Sequence, residues 1–376
     1  MEIKNLKKAA ERILKAISDK EKILIYGDAD LDGVCSVIIL EETIKTLGGN
    51  IKEIYFPDRE KEGYGISEIA LNSLKKHAPA LLVALDCGIS NFKEVKLAKE
   101  LGFSVIIVDH HEVLNDLPEA DIIVDPKQKG DTYPFKNLAT VGIVFKLSQE
   151  ILKERMSEAM RRNFLELVAL ATLADMMPQE RENKLMTDEG LELMKNSFRP
   201  AFRIFPLFFK VPQEIHKIIS ILNVRDMENN LPASFRLLTL ANLEEAKILF
   251  EKLIEKGKAR KGEIKKIIEE VKSQILEKEP IIFAGSKDFK FSLIPAVASQ
   301  ICQIFKKPTF IFKIGEKETQ GTVRSPPEVN TVELMKKCRD LLISFGGHPQ
   351  ASGFRIKNKY LDEFKEFLMD YFSEKK

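Results

Sequence analysis

Between Lys22 and Pro126, short apolar runs alternate with segments of helical length: KILIY, CSVIILEETIKTL, IKEIYF, a segment around Ser67 to His77, ALLVAL, a segment through Lys93 to Glu100, and FSVIIVD. Short β-branched runs that are apolar throughout mark strands buried on both faces, and helix-length spacers between them make βαβ crossovers. The pattern predicts an α/β fold with a doubly wound, mostly parallel sheet. Ahead of it, MEIKNLKKAAERILKAISDK reads as a charged amphipathic helix rather than a signal peptide.

From Pro134 to Lys195 the apolar residues fall three and four apart, in VGIVFKLSQEILKERM and RRNFLELVALATLADMM, which predicts helices packed on the sheet. Residues 196–276 carry no strand signal. They include most of the long charged pattern LEEAKILFEKLIEKGKARKGEIKKIIEEVKSQILEK, read as a helical connector whose alternating charges suit a solvated bridge. A second βα pattern, PIIFAG, LIPAVASQICQIF and PTFIFKI, closes on the glycine-rich GGHPQASGF and predicts a smaller C-terminal α/β domain. The expected division is 1–195, 196–276 and 277–376, and 376 residues are enough for two cores.

Charge changes this picture little. With 59 basic against 57 acidic residues, a nucleic-acid partner would need a local basic surface rather than bulk charge. Cys35, Cys87, Cys302 and Cys338 form no close-spaced metal-binding pair, which fits a reducing cytoplasm. No run of about 18 apolar residues occurs, so a soluble, cytoplasmic chain without a membrane partner is expected.

The acids change it more. KILIY is followed by Gly-Asp28-Ala-Asp30-Leu-Asp32-Gly33, LLVAL by Asp86-Cys87-Gly88, and SVIIV by Asp109-His110-His111. Ligands of open α/β sheets bind at the carboxyl ends of strands, so the three clusters should meet in one crevice. Crowded carboxylates repel one another unless cations neutralise them, which makes divalent metals the natural filling. Carboxylates with imidazole suit manganese, magnesium or iron, and a pair of such ions serves phosphoryl displacement. Any single aspartate before a helix is more often a cap than a ligand. Three clusters at three strand ends reverse that. His77 and His216 take the bland reading, while His110 and His111 follow a strand-ending acid and can serve a metal and its surroundings.

GDADLDG, LDCGIS, VDHH and ATLADMMP resemble, in order, the four motifs of the DHH phosphoesterase superfamily. PDREKEGYGIS at 57–67 and the stretch 109–147 are similar to its RecJ branch of single-strand-specific exonucleases. The nanoRNase and cyclic-dinucleotide branches open with a histidine-led NPDxD where Tyr26-Gly27-Asp28 stands here. GTVRSPP and ISFGGHPQASGF resemble the DHH-associated domain.

The resemblance implies that Asp30 and Asp86, with Asp28 nearby, hold one divalent ion, and that Asp32, Asp86, His110 and Asp175 hold another. The ions would be manganese, with magnesium the alternative. Asp109 and His111 would orient or protonate, and Arg59 would lie near the scissile phosphate. Arg324, Ser325, Gly346, Gly347 and His348 would grip the substrate backbone. The family's Asn-Ala-Ala-Gly-Arg stretch is replaced by LNVRDMEN, so Asn223 corresponds and Arg225 is a candidate for the contact. The implied activity is hydrolysis of single-stranded DNA, or RNA, from an end, in DNA repair and recombination. No residues remain for the OB-fold of full-length members, so a short-oligonucleotide or cyclic-dinucleotide phosphodiesterase is the alternative. A replication or repair protein supplying further strand-binding surface stands as an unnamed partner.

Overall fold

Five strands, β1 (Lys22–Gly27), β2 (Asn50–Tyr55), β3 (Ala80–Leu85), β4 (Phe103–Val108) and β5 (Ile122–Val124), form one parallel sheet in the computed structural model, in the order β2-β1-β3-β4-β5. The structure describes residues 2–373 apart from 60, 114, 115 and 277. Residue 277, where the sequence reading begins the second α/β part, and 374–376 lie outside it.

The first helices are α1 (Leu6–Ser18), α2 (Leu31–Thr46), α3 (Glu68–Leu74), α4 (Phe92–Glu100), α5 (Thr140–Leu152), α6 (Glu158–Ala174) and α7 (Arg181–Leu193). Successive strand side chains point to opposite faces. Ile23, Ile25, Leu81, Val83, Ile106 and Val108 accordingly join one core with Ile13 of α1, Ile38 of α2, Val144 of α5 and Leu167 of α6. Leu24, Tyr26, Leu82, Ala84, Val105 and Ile107 join another with Leu71 of α3 and Val95 of α4. Each such aliphatic side chain, fully buried, stabilises the fold by about 1.5–3 kcal/mol. The predicted doubly wound sheet is the observed one. Its strand order reverses between β1 and β3, which opens a crevice at their carboxyl ends.

The chain continues through α8 (Pro200–Phe208), α9 (Ile215–Leu222), the two-residue strands β6 (Met227–Glu228) and β7 (Leu231–Pro232), α10 (Ala233–Thr239) and α11 (Leu243–Gln274). Phe202, Phe205 and Phe250 pack into the first core. Here the structure departs from the expectation of no strand. Asn229 and Asn230, with φ of 53° and 59°, make a tight turn that pairs β6 with β7. Asparagine tolerates the left-handed region that such hairpin turns require.

The chain forms two compact units, 1–255 and 256–376. The second contains β8 (Ile282–Ser286), α12 (Ile294–Phe305), β9 (Thr309–Ile314), β10 (Glu318–Arg324), α13 (Thr331–Lys337), β11 (Leu342–His348), β12 (Ala351–Lys357) and α14 (Leu361–Ser373). Its sheet runs β11-β12-β10-β9-β8, parallel between β8 and β9 and antiparallel elsewhere. One face packs on α12 and the later turns of α11 through Ile264, Ile268 and Val271, the other on α13 and α14. Among the described residues no helix is long and apolar enough to cross a membrane.

Candidate metal centre

Parallel register brings the strand-end acids level. Gly27 pairs with Leu85, Leu85 with Val108 and Val108 with Val124. The following residues stay in the ladder: the amide of Asp28 donates to Leu85 O (3.2 Å), that of Asp86 to Val108 O (2.9 Å) and that of Asp109 to Val124 O (3.0 Å). Asp28, Asp86, Asp109 and Asp125 therefore form a row along the carboxyl edge of the sheet. Asp86 has φ of 63°, an uncommon conformation for a residue with a Cβ, of the kind that collects at functional sites.

Asp30 and Asp32 reach the row from the start of α2. Asp30 is its N-cap, and its Oδ1 accepts from the amides of Asp32 and Gly33, both at 3.1 Å. Gly33 is required by space: a Cβ there would lie 2.3 Å from Asp28 O. Asp32 turns its buried carboxylate to the start of α5, where the amides of Thr140 and Val141 donate at 2.8 Å each. Asp175 arrives as the residue that ends α6.

His110 stands among them. Its Nε2 is 3.5 Å from an oxygen of Asp175, 3.6 Å from Asp86 and 3.8 Å from Asp32. These spacings are too long for good hydrogen bonds, yet the donor atoms face one another. Ligand atoms of Asp32, His110 and Asp175 all lie within 4.8 Å of one another, as do those of Asp28, Asp30 and Asp86, and those of Asp86, His110 and His111. Burial raises the pKa of Asp32 well above the carboxylate range, and Asp175 and Asp30 add to it. Asp86 is raised likewise, by burial and then by Asp32, Asp30, Asp109 and Asp175. Asp175 is pushed up to about 7 by burial and Asp30. Such a set, built from carboxylate oxygens with imidazole nitrogens, fits hard divalent cations.

Asp109 is spent differently. Its Oδ1 accepts from the amides of His110 (2.8 Å) and His111 (3.2 Å) and pairs with His111 Nδ1 (2.7 Å), while Oδ2 accepts from Ile89 N (3.1 Å). Burial alone would raise its pKa, but His111, His110 and the Ile89 amide outweigh that and hold it at about 2. His111 is in turn raised, because Asp109 overcomes the cost of burial.

Arg59 lies on the same acids: Nε donates to Asp28 Oδ1 (2.8 Å), Nη2 bonds Asp30 Oδ2 (3.0 Å) and also pairs with Asp28 Oδ2. It belongs to a loop fastened at several points. Glu62 accepts from Asp58 N (2.9 Å), Tyr55 Oη (3.0 Å) and Ser67 Oγ (2.5 Å), Tyr26 Oη donates to Gly65 O (2.9 Å), and Ile66 N donates to Asn91 Oδ1 (3.1 Å).

Asn223 and Arg225 lie in the first unit, while Arg324, Ser325, Gly346, Gly347 and His348 are in the second, at one end of its sheet. Arg324 pairs with Ala351 across β10 and β12, and its guanidinium donates to Ser299 Oγ (3.1 Å) and Thr322 Oγ1 (2.9 Å). Ser325 N donates to Gln350 O (3.1 Å), in the turn between β11 and β12. On β11, Gly347 pairs with Ser352 and His348 with Ala351. Gly347 has φ of 130°, and a Cβ there would come 2.5 Å from Ala351 O.

Residues 22–172 match the profile of the DHH family, N-terminal domain, and residues 278–374 that of the DHHA1 domain. The chain carries a DHH-family N-terminal domain followed by a DHHA1 domain. Among curated proteins it is 36% identical over 380 residues to the single-stranded-DNA-specific exonuclease RecJ of Bacillus subtilis, covering 98% of this chain and 48% of that protein. Its identity to the Thermus thermophilus exonuclease RecJ is 27%, over 98% of this chain and 54% of the other. This DHH chain thus spans about half the length of those relatives. A crystal structure of exonuclease RecJ bound to manganese superposes with a TM-score of 0.82 at 25% identity, covering 99% of this chain and 95% of the other. The Thermus thermophilus RecJ in complex with Mn2+ shares the fold, with a TM-score of 0.87 at 23% identity over 100% of this chain and 55% of that one.

The DHH site holds residues that the sequence reading did not name. Tyr64 Oη donates to Asp86 O (3.1 Å) and lies 3.2 Å from the ring nitrogens of His111, with Arg59 stacked 5.5 Å from its ring centre. Asp125 completes the row of acids; the signal was present in IIVDP, but a three-residue strand before Asp-Pro also reads as a turn. Thr140 Oγ1 donates to Asp86 Oδ1 (2.9 Å), a contact between residues 54 apart in sequence that no motif announces.

Proposed function

We propose that this chain is a metal-dependent phosphodiesterase that hydrolyses single-stranded nucleic acid from an end, DNA foremost. The observation that carries the reading is His110 Nε2 set 3.5–3.8 Å from three separate carboxylates, on a chain similar throughout to single-stranded-DNA-specific exonucleases.

Asp32, Asp86, His110 and Asp175 would hold one divalent ion and Asp30 and Asp86, with Asp28, the other, manganese foremost and magnesium second. Divalent ions bound there supply water activation and neutralise charge that develops on the phosphoryl oxygens. The chain's own residues do the rest. Arg59 brings a fixed positive charge to Asp28 and Asp30 and meets a substrate phosphate with a planar donor fork. Asp109 fixes His111 through Nδ1 and favours its protonated form, so His111 can give a proton to the departing oxygen. Burial lowers the pKa of Arg59 and the neighbouring Arg225 adds to it; Arg225 serves as a further phosphate contact. In the second unit Arg324, Ser325 and His348, with the amides at Gly346 and Gly347, bind the backbone of the strand. Four free, buried cysteines suit the reducing cytoplasm in which such an enzyme would work.

Incubation with end-labelled DNA and manganese tests the reading. Progressive shortening of single strands, with blunt duplex left intact and dinucleotides turned over more slowly than long strands, is the expected result. Turnover of dinucleotides alone would overturn the substrate assignment.

A further inference from the structure

Buried threonine hydroxyls ordinarily bond a main-chain carbonyl one helical turn back, as Thr43 does with Ile39 O (2.7 Å). Thr140 has no such turn behind it. It is the first residue of α5, fully buried, and the preceding Ala139 has no side-chain group to cap the helix. The open amides of α5 are taken instead by a carboxylate from another element: Thr140 N donates to Asp32 Oδ2 and Val141 N to Asp32 Oδ1, each at 2.8 Å. The hydroxyl of the same residue donates to Asp86 Oδ1 at 2.9 Å.

One residue therefore touches two carboxylates that belong to different ligand groups, Asp32 with His110 and Asp175, and Asp86 with Asp28 and Asp30. A carboxylate offers about four lone-pair positions. Each oxygen of Asp32 commits one to an amide, and Asp86 Oδ1 commits one to the hydroxyl. What remains on Asp86 Oδ1 is turned to His110 Nε2, 3.6 Å away. The β-branch restricts χ1, which limits the directions the buried hydroxyl can take.

We infer that Thr140 is a positioning residue for the metal centre: its amide and hydroxyl fix the rotation of Asp32 and Asp86 relative to each other, so that both ion sites are shaped before any ion arrives. The inference rests on the metal-dependent reading above. Groups that orient metal ligands in this way change metal affinity by about 10–100-fold when removed. The amide survives in the valine, alanine and serine variants, and the hydroxyl only in the serine one, so the two contributions separate cleanly.

The test is manganese binding to metal-stripped protein, followed by calorimetric titration, for wild type, Thr140→Val, Thr140→Ala and Thr140→Ser. Thr140→Val and Thr140→Ala are expected to weaken binding at one site or both by about 10–100-fold, with Thr140→Ser within about threefold of wild type. At saturating manganese and with a long single strand, KM should hold while kcat falls in the variants lacking the hydroxyl. Binding by Thr140→Val equal to wild type would overturn the inference, as would a loss in Thr140→Ser as large as in Thr140→Ala. Should Thr140→Val fail to fold, the serine and alanine variants read the same hydroxyl. If wild type itself takes up no manganese, the metal reading fails and the role of Thr140 falls with it.

Discussion

Asp125 stands at the end of β5 with no exposure, its Oδ1 bonded to Lys127 N (2.7 Å) and its pKa pushed up to about 7, first by burial and also by Asp109. A carboxyl raised in the folded state binds its proton more tightly there than in the unfolded chain. Folding therefore draws its full benefit from this group below the unfolded pKa of about 4 and loses it as pH rises through about 7. Asp125→Asn keeps an acceptor for the Lys127 amide and removes the titration. It should stabilise the protein by roughly 1–3 kcal/mol at pH about 8 and by much less at pH about 5. Melting temperatures across pH check this, and an equal gain at both ends would contradict it. Asp86 answers to a different test, because it belongs to two of the candidate ligand groups. Asp86→Ala should cost at least about a thousandfold in hydrolysis, the scale on which charge stabilisation at a phosphoryl centre acts, and should abolish binding of one manganese ion or more.

At the scale of elements, close approach of backbones decides much of the fold. A Cβ on Gly190 of α7 would lie 2.1 Å from Leu165 O and 2.6 Å from Ala169 Cβ, so α6 and α7 meet there without side chains between them. Gly190→Ala should destabilise by about 2–4 kcal/mol in a denaturant melt and leave activity per folded molecule unchanged. Gly33→Ala presses on the backbone of Asp28 instead. It should lower activity by about tenfold or more, the scale on which misplacing reacting groups acts, with a smaller loss of stability than Gly190→Ala. Strands β1, β3 and β4 were legible because KILIY, ALLVAL and FSVIIV are apolar but for Lys22 and Ser104, and their following acids could be placed on one edge by the rule of parallel sheets alone. The three-residue β5 and the two-residue β6 and β7 were not, since runs so short carry no periodicity. Tyr64 and Thr140 escaped for another reason. Their hydrogen bonds join segments far apart in sequence, and nothing in a local pattern distinguishes such a tyrosine or threonine from a surface one.

At the scale of the whole molecule, the first unit carries the acids and the second carries Arg324, Ser325 and the Gly346-Gly347-His348 strand. If the second unit binds the strand backbone, Arg324→Ala should raise KM for a long single strand by about tenfold, the loss of a charge-assisted contact, with kcat within about twofold. A fall in kcat alone would place Arg324 outside strand binding. The first unit's chemistry is tested without reference to the second by supplying and withdrawing metal. The decisive measurement is digestion of an end-labelled single strand by the metal-stripped chain, with manganese added back or withheld by chelator, beside Asp86→Ala. Shortening is expected only for wild type with manganese. Equal survival of the strand in every arm, or equal digestion by wild type in chelator, would overturn the metal-dependent reading.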